Sequence, residues 1–354
     1  MELKEKLYCE HYEQHPLLIG RIERREIALQ TWRDKGPSNR HQYYQSTEHL
    51  MGDLVRQETV CAIFASVAYY QDPQVKAPSK KGYIGSDLVF DIDLPIDGSR
   101  YDWMYTACDA TLDLVRVLTK ELGFSEDSLV IDFSGSKGFH ITVSDESLRD
   151  MHKDDRRHLV QYILGEKVDK SLLGVEKGGW SSRYDAYKSR LGQVCCDDKV
   201  TNEAILSKVF NLPQVHAKKL GDHLSKSSNR AAMKGSRLEL SDAAEKSLRG
   251  LFLRAEKKKF SGVDKQVTVD KHRIFRIPGS IHPKTGFTST RVLLSDLSEP
   301  DRVFEKIKVA GGLDEVVVTL TEAKVENSDK VQLWAPGTYK LPRWLALHLL
   351  SVDN

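Results

Sequence analysis

The chain has 354 residues, enough to bury a sizeable core in one domain with an insertion or in two. Charged residues make up 29% but the formal net charge is only +2, so any affinity for nucleic acid has to come from local basic patches. No run of about eighteen apolar residues occurs, which excludes a long apolar membrane-spanning helix. The five cysteines (positions 9, 61, 108, 195 and 196) include no C-x-x-C spacing. Adjacent Cys195 and Cys196 do not make a normal zinc pair by themselves. With no signal peptide, a reducing cytoplasm is the expected location.

Helical patterning opens the chain to about Leu29. Strand character follows at 61–68 and again at 86–93, where the sequence reads SDLVFDID. Alternation puts Leu88, Phe90 and Ile92 on one face and Asp87, Val89, Asp91 and Asp93 on the other. The apolar face can pack on a core. Asp91 and Asp93 then lie about 7 Å apart, at ~3.3 Å per residue. Two carboxylates so close repel unless a cation lies between them, and Mg²⁺ or Mn²⁺ suits oxygen ligands of this kind. A solvated acidic strand end before Pro95 would look the same. Residues 102–122 form an amphipathic helix, with Met104, Cys108, Thr111, Val115, Leu118 and Leu122 at alternating spacings of four and three.

Two strands are expected at Ser128–Phe133 and Phe139–Val143, joined by the turn SGSKG. Gly135 and Gly138 permit positive φ and close approach of a ligand. Successive backbone N–H groups in such a turn form an anion nest. Ser134, Lys137 and His140 add polar groups, though an ordinary hairpin with an exposed lysine and a packed histidine remains open. From about 147 to 255 the pattern is mainly helical. Within it His216–Phe260 carries twelve Lys and Arg against five acids, which suits either a phosphate-tracking surface or a solvated helical insertion. Strand character returns from Val267 to Leu294. There HRIFRIPGSIHPKTG at His272–Gly286 adds Arg276, His282 and Lys284 around a Pro-Gly turn. Asp264 and Asp270 precede that segment. An even separation would put both on one face of an unbroken strand, so alternation does not choose between them. Residues 325–340 read as a linker and 341–351 as a short apolar helix.

The D-x-D strand, the S-G-x-x-G-x-H turn and the R-x-P-G-S-x-H-x-x-T-G segment, in this order, resemble the three motifs of the catalytic small subunit of archaeal and eukaryotic DNA primases. REIALQTW at Arg25–Trp32, followed by Arg40 and His41, resembles that family's opening pattern. The likeness runs from about residue 20 to 295. It implies an α/β (α+β) fold: a mixed-sheet primase core with flanking helices and a mainly helical insertion. It divides the chain into a catalytic domain over 1–325, with the insertion at about 147–255, and a linker and C-terminal helix over 326–354. It implies an enzyme, a DNA-directed nucleotidyltransferase making short RNA primers on single-stranded DNA from nucleoside triphosphates by two-metal transfer.

Carried over residue by residue, Asp91, Asp93 and a third aspartate, Asp264 with Asp270 as its rival, hold Mg²⁺ or Mn²⁺. Ser134, Lys137, His140, Arg276 and His282 bind the incoming nucleotide. A large primase subunit is the implied partner. The turn departs from the family's two arginines, having Ser136 and Lys137 instead. The family's zinc cluster after the D-x-D is reduced to Cys108, so zinc is not expected. That loss keeps a primase-like repair polymerase open as an alternative. A catalytically silent nucleic-acid binding module is the alternative from another class, which the acidic and basic motifs disfavour.

Overall fold

The computed structural model describes residues 2–57, 59–96, 99–175, 177–209, 213–234, 242–328 and 331–352. The chain divides into two compact units, residues 1–158 with 262–354, and residues 159–261.

The first unit holds two four-stranded sheets. One runs in the order Asn39–Gln42, Ile27–Thr31, Val60–Ser66, Ile274–Arg276. The other runs Thr290–Val292, Leu129–Phe133, Gly138–Val143, Leu88–Asp93. All of these pairings are antiparallel. The fold is α+β, antiparallel sheets flanked by helices.

The second sheet follows the period-two pattern of its sequence. Leu88, Phe90 and Ile92 are buried on one face, with Ile131, Phe133, Phe139 and Ile141. The helix Arg100–Arg116 covers that face with Trp103, Met104, Ala107, Cys108, Leu114 and Val115. Ser99 caps it by accepting from the Asp102 N–H at 3.1 Å. The helix ends in a π turn over Val117–Glu121. Cys108 is fully buried there and packs as a small apolar residue. Trp103 meets Phe133 edge-on at 6.5 Å, and Phe133 meets Phe139 at 5.8 Å. With the apolar side occupied, Asp91 and Asp93 face away from the core.

Three segments differ from the sequence expectation. The opening helix ends at Gln14, and Ile27–Thr31 is a buried strand. Its run Ile27-Ala28-Leu29 is apolar on consecutive positions, as in a strand covered on both faces, and such a run carries no period. Residues 265–269 form a short helix, Lys265–Val269, with Asp264 as its N-cap and Asp270 as its C-cap. The Asp264 side chain accepts from the N–H groups of Gln266 and Val267, and that bond selects a helical turn over a strand. Residues 325–340 are not a bare linker. They include strands Lys324–Glu326, Gln332–Trp334 and the start of Gly337–Pro342, which pairs with Glu315–Leu320. Residues 329 and 330 lie outside the described residues. The final helix, Arg343–Ser351, is almost wholly buried. Its Arg343 is held by Asp314 and Glu10, and its His348 contacts the Thr285 carbonyl at 2.7 Å.

The second unit is helical. Trp180, Tyr184, Leu191, Leu206, Leu224, Leu248 and Phe252 form its core. Two arginines of the basic 216–260 stretch are ion-paired, Arg230 with Asp197 and Arg249 with Glu245. Residues 235–241, Arg237 among them, lie outside the described residues.

The turn depends on the absence of a side chain at Gly138. A Cβ there would stand 1.5 Å from the Ile92 carbonyl oxygen across the ladder. Gly138→Ala should therefore force the Leu88–Asp93 strand away and lose at least about 3 kcal/mol of stability, at the upper end of overpacking costs. Urea unfolding followed by tryptophan fluorescence measures this. A midpoint equal to that of the parent would refute the close approach.

Candidate active site

The carboxylate strand reaches its neighbours on both edges. On one side Asp91 lies opposite His140 and Asp93 opposite Gly138. On the other, residues 262–264 run along the strand. The Asp93 N–H donates to the Gly262 carbonyl at 2.8 Å, and the Asp264 N–H donates to the Asp91 carbonyl at 2.9 Å. Ile92 and Val263 form the bridge between them. Asp264 is thereby fixed beside Asp91 despite its distance along the chain. Asp270 sits at the other end of the short helix, where its carboxylate accepts from the His272 N–H at 2.9 Å.

The electrostatics reflect this placement. Burial, and then the negative charge of Asp264, push the Asp91 carboxyl up to about 6. Arg273, absent from the sequence-based site, acts in the opposite direction. Asp93 is also raised, first by burial and then by Asp91. The Asp91 Oδ1 atom is buried with no hydrogen-bond partner. The Nε2 atom of His140 lies 3.5 Å from it, outside hydrogen-bonding geometry. An orphaned carboxylate oxygen among repelling carboxylates fits a divalent cation. The three acids do not form a closed cage. Among the described residues no group of three or more His, Cys, Asp or Glu is drawn together to hold a metal.

The turn at 134–138 and the distal segment meet. Gly135 has φ +83°, and the Thr285 hydroxyl donates to its carbonyl at 2.6 Å. The Ser289 hydroxyl donates to the Phe133 carbonyl at 2.9 Å. Ser134 is buried and its Oγ accepts from the Ser136 N–H at 3.3 Å, while Lys137 is exposed at the tip. Arg100 donates to the Ser136 carbonyl at 2.7 Å and lies over the Phe287 ring. Sequence reasoning missed Arg100. It belongs to the first turn of a helix whose pattern announces only its apolar face.

Arg276 lies over the Phe64 ring at 4.8 Å, and among the described residues its side chain makes one hydrogen bond, a long one of 3.4 Å to the Ile281 carbonyl. Burial lowers both Arg100 and Arg276 to about 10. His282 is pushed down to about 3, first by burial and then by the charges of Arg276, Arg100, Lys284 and Lys137. Four cations converging on one imidazole mark a region of positive potential. The Nε atoms of Arg100 and Arg276 are buried without partners there. An anion with several oxygens is what this region lacks.

Between the two regions a row of side chains crosses the sheet in register. Arg291 is opposite Asp132, Asp132 opposite His140, and His140 opposite Asp91. Asp132 is ion-paired with Arg291. His140 is lowered to about 4, first by burial, against the raising effect of Asp132 and Asp93, so its ring is neutral at neutral pH. Its edge packs on Phe275 at 4.6 Å.

Comparison with known proteins bears directly on this arrangement. The sequence signature of the family described as DNA primase small subunit matches residues 90–293, more than half of the chain. The chain belongs to the DNA primase small subunit family. The DNA primase small subunit PriS of Methanosphaerula palustris is 29% identical, over 81% of this chain and 79% of that protein. That of Thermoplasma volcanium is 27% identical over 93% and 89%, and that of Methanococcoides burtonii 26% identical over 99% and 98%. The chain is a primase catalytic subunit, a DNA-directed nucleotidyltransferase. The matched span includes Asp91 and Asp93, the turn and the distal segment. Among the described residues of this primase chain, no helix is long and apolar enough to cross a membrane.

The raised carboxyl of Asp91 has a measurable consequence without metal. Its folded value, about 6, exceeds the ordinary 3.8, so the folded state holds a proton that the unfolded chain has already released. Stability is therefore highest below pH 4 as far as Asp91 is concerned, and falls as pH rises to about 6. The full difference is about 3 kcal/mol, at ~1.4 kcal/mol per unit. In chelator, Asp91→Asn should match the parent's thermal stability at pH 4 and exceed it at pH 7. Added Mn²⁺ should stabilise the parent more than the variant. Equal melting at pH 7 would show that Asp91 is not electrostatically frustrated.

Proposed function

We propose that this primase makes RNA primers on single-stranded DNA from nucleoside triphosphates, with residues 1–158 and 262–354 carrying the chemistry. A 3′-hydroxyl attacks the α-phosphorus. The bond from that phosphorus to the α–β bridging oxygen breaks, and pyrophosphate leaves. Asp91, Asp93 and Asp264 would hold Mg²⁺ or Mn²⁺, which would make the attacking oxygen more nucleophilic and offset charge on the leaving group. The observation that supports this most is the pairing of opposites: repelling carboxylates with an orphaned oxygen, beside arginines with unpartnered nitrogens.

Ser134, Lys137 and the backbone of the turn receive the triphosphate from one side. Arg276 and His282, with Arg100 behind the turn, receive it from the other. His140, neutral and wedged against Phe275, separates the carboxylates from the cations. Catalysis by this set is positioning plus electrostatics. A large primase subunit is the proposed partner for initiation. The test is labelled nucleotide incorporation on an unprimed single-stranded template with Mg²⁺ or Mn²⁺. Synthesis that occurs only from an added primer would favour a gap-filling polymerase instead.

The support for Asp264 over Asp270 as third ligand is its backbone bond to Asp91 and its effect on the Asp91 carboxyl. Asp264→Asn should abolish incorporation across a Mn²⁺ titration, as should Asp91→Ala and Asp93→Ala. Asp270→Asn should retain most of it. Loss confined to Asp270→Asn would reverse the assignment.

Lys137→Ala and His140→Ala should weaken nucleotide binding by about 1.5–3 kcal/mol, the scale of a hydrogen bond to a charged phosphate, while sparing template binding. Parallel titrations with nucleotide and with oligonucleotide separate the two. Unchanged nucleotide affinity with weakened DNA affinity would move the turn to the template side.

A further inference from the structure

Two concavities open near the carboxylates, and they differ in how their charges are spent. The cleft between the two sheets, about 330 Å³, is lined by arginines. Four of them have carboxylate partners: Arg25 with Asp87, Arg291 with Asp132, and Arg21 and Arg149 with Glu146. The second concavity, about 500 Å³, is lined by Lys153, Gln266, Val269, Asp270, Lys271, His272 and Arg273. Among the described residues, Lys153, Lys271 and Arg273 make no ion pair. Asp270 is the one acid on its wall, and that carboxylate accepts the His272 N–H.

Three unpaired cations around a hollow repel one another, and an anionic ligand relieves that repulsion. The wall of the hollow carries one aromatic ring, His272, backed by the buried Tyr70 and by Tyr83. His272 stacks on Tyr70 with an interplanar angle of 12° and meets Tyr83 edge-on at 5.5 Å. Lys271 lies 4.6 Å over the Tyr83 ring. Cations beside aromatic groups are the usual equipment for a single nucleic-acid strand, whose phosphates track the charge while its bases stack. The position agrees. The short helix Lys265–Val269 runs from Asp264 to this wall, about 9 Å at ~1.5 Å per residue. A strand held here would reach the carboxylates within a few nucleotides.

We propose that Lys153, Lys271 and Arg273 hold the backbone phosphates of the single-stranded DNA template beside the carboxylates. This deepens the primase reading and rests on it. The triphosphate is not the occupant, because its own cations surround the turn at 134–138. Arg273, whose charge reaches Asp91, forms the boundary between the two sites.

The test is fluorescence anisotropy with a labelled oligodeoxythymidylate and the full chain, titrated over salt. Lys153→Ala/Lys271→Ala should reduce the slope of log affinity against log salt by about 1.4, at ~0.7 per phosphate contact on a single strand, which at 0.1 M salt amounts to roughly 25-fold weaker binding. Affinity for a fluorescent nucleoside triphosphate should not change, and Lys153→Arg/Lys271→Arg should restore the slope. Parental slope and affinity in the alanine pair would overturn the proposal and direct attention to the basic 216–260 stretch. Loss of nucleotide affinity instead would overturn it in favour of a triphosphate. Asp91→Asn serves as the control for the underlying reading. If it abolishes synthesis while the alanine pair binds DNA normally, this proposal fails and the primase reading stands. If the parent neither binds the oligonucleotide nor incorporates nucleotide, both fail.

Discussion

The site depends on one short stretch of backbone pairing. Residues 262–264 lie against the edge of Leu88–Asp93 through two hydrogen bonds, Asp93 N–H to Gly262 and Asp264 N–H to Asp91. The chain leaves the first unit after His158 and re-enters it at Gly262, after a separately packed helical unit. Closing so long an excursion costs entropy that two hydrogen bonds do not offset alone. Burial of Val263 and Val267 supplies part of the remainder. The strand Ile274–Arg276 supplies more by adding an edge to the first sheet. Once that return is fixed, Asp264, Arg273, Arg276 and His282 all take their places from one continuous segment.

The same segment explains why the charges of the site are poorly satisfied in the free protein. A raised Asp91, lowered His140 and His282, and arginines lowered by burial are all groups whose charged form is disfavoured where they sit. Each shift costs stability only where the unfolded chain would carry the charge, above the ordinary value for Asp91 and below it for the histidines. A fold selected for stability alone would pair Arg276 with Asp91 or replace both. Here the acidic and basic sets stand apart, with neutral His140 between them, and each keeps an unpartnered buried atom. Perturbed groups gathered around one sheet edge and its turn are the physical mark of a site whose missing partners arrive with the ligands.

Much of this was legible in sequence because period two survives in strands with one buried face. FDID gave the orientation of Asp91 and Asp93, and the 4-3-4 spacing gave the helix that covers their back. Where local chemistry overrides period, the reading failed. The run VDKQVTVD has β-branched residues that suggest a strand. Yet the Asp264 side chain caps two amide groups and turns the next five residues into a helix, so Asp264 and Asp270 share no strand face. Arg100 and Arg273 were invisible for another reason. Their roles come from where distant elements pack, and nothing within several residues of either announces it.

The row Arg291–Asp132–His140–Asp91 shows how far register can carry an inference that motifs cannot. The sequence marks His140 through the S-G-x-x-G-x-H turn but says nothing of what lies on either side of it. Antiparallel register fixes both neighbours, since residues directly opposite have Cβ atoms about 5 Å apart. Asp132 would by itself draw a proton onto His140. Arg291, one strand further out, is ion-paired with Asp132, and the pull of Asp132 on His140 persists beside that pair. Burial then decides, and the ring stays neutral. A protonated His140 would pair with Asp91 and occupy the oxygen that the structure leaves free. The state of His140 thus rests on burial outweighing two carboxylates, Asp132 and Asp93, a balance that no single pair in the row contains.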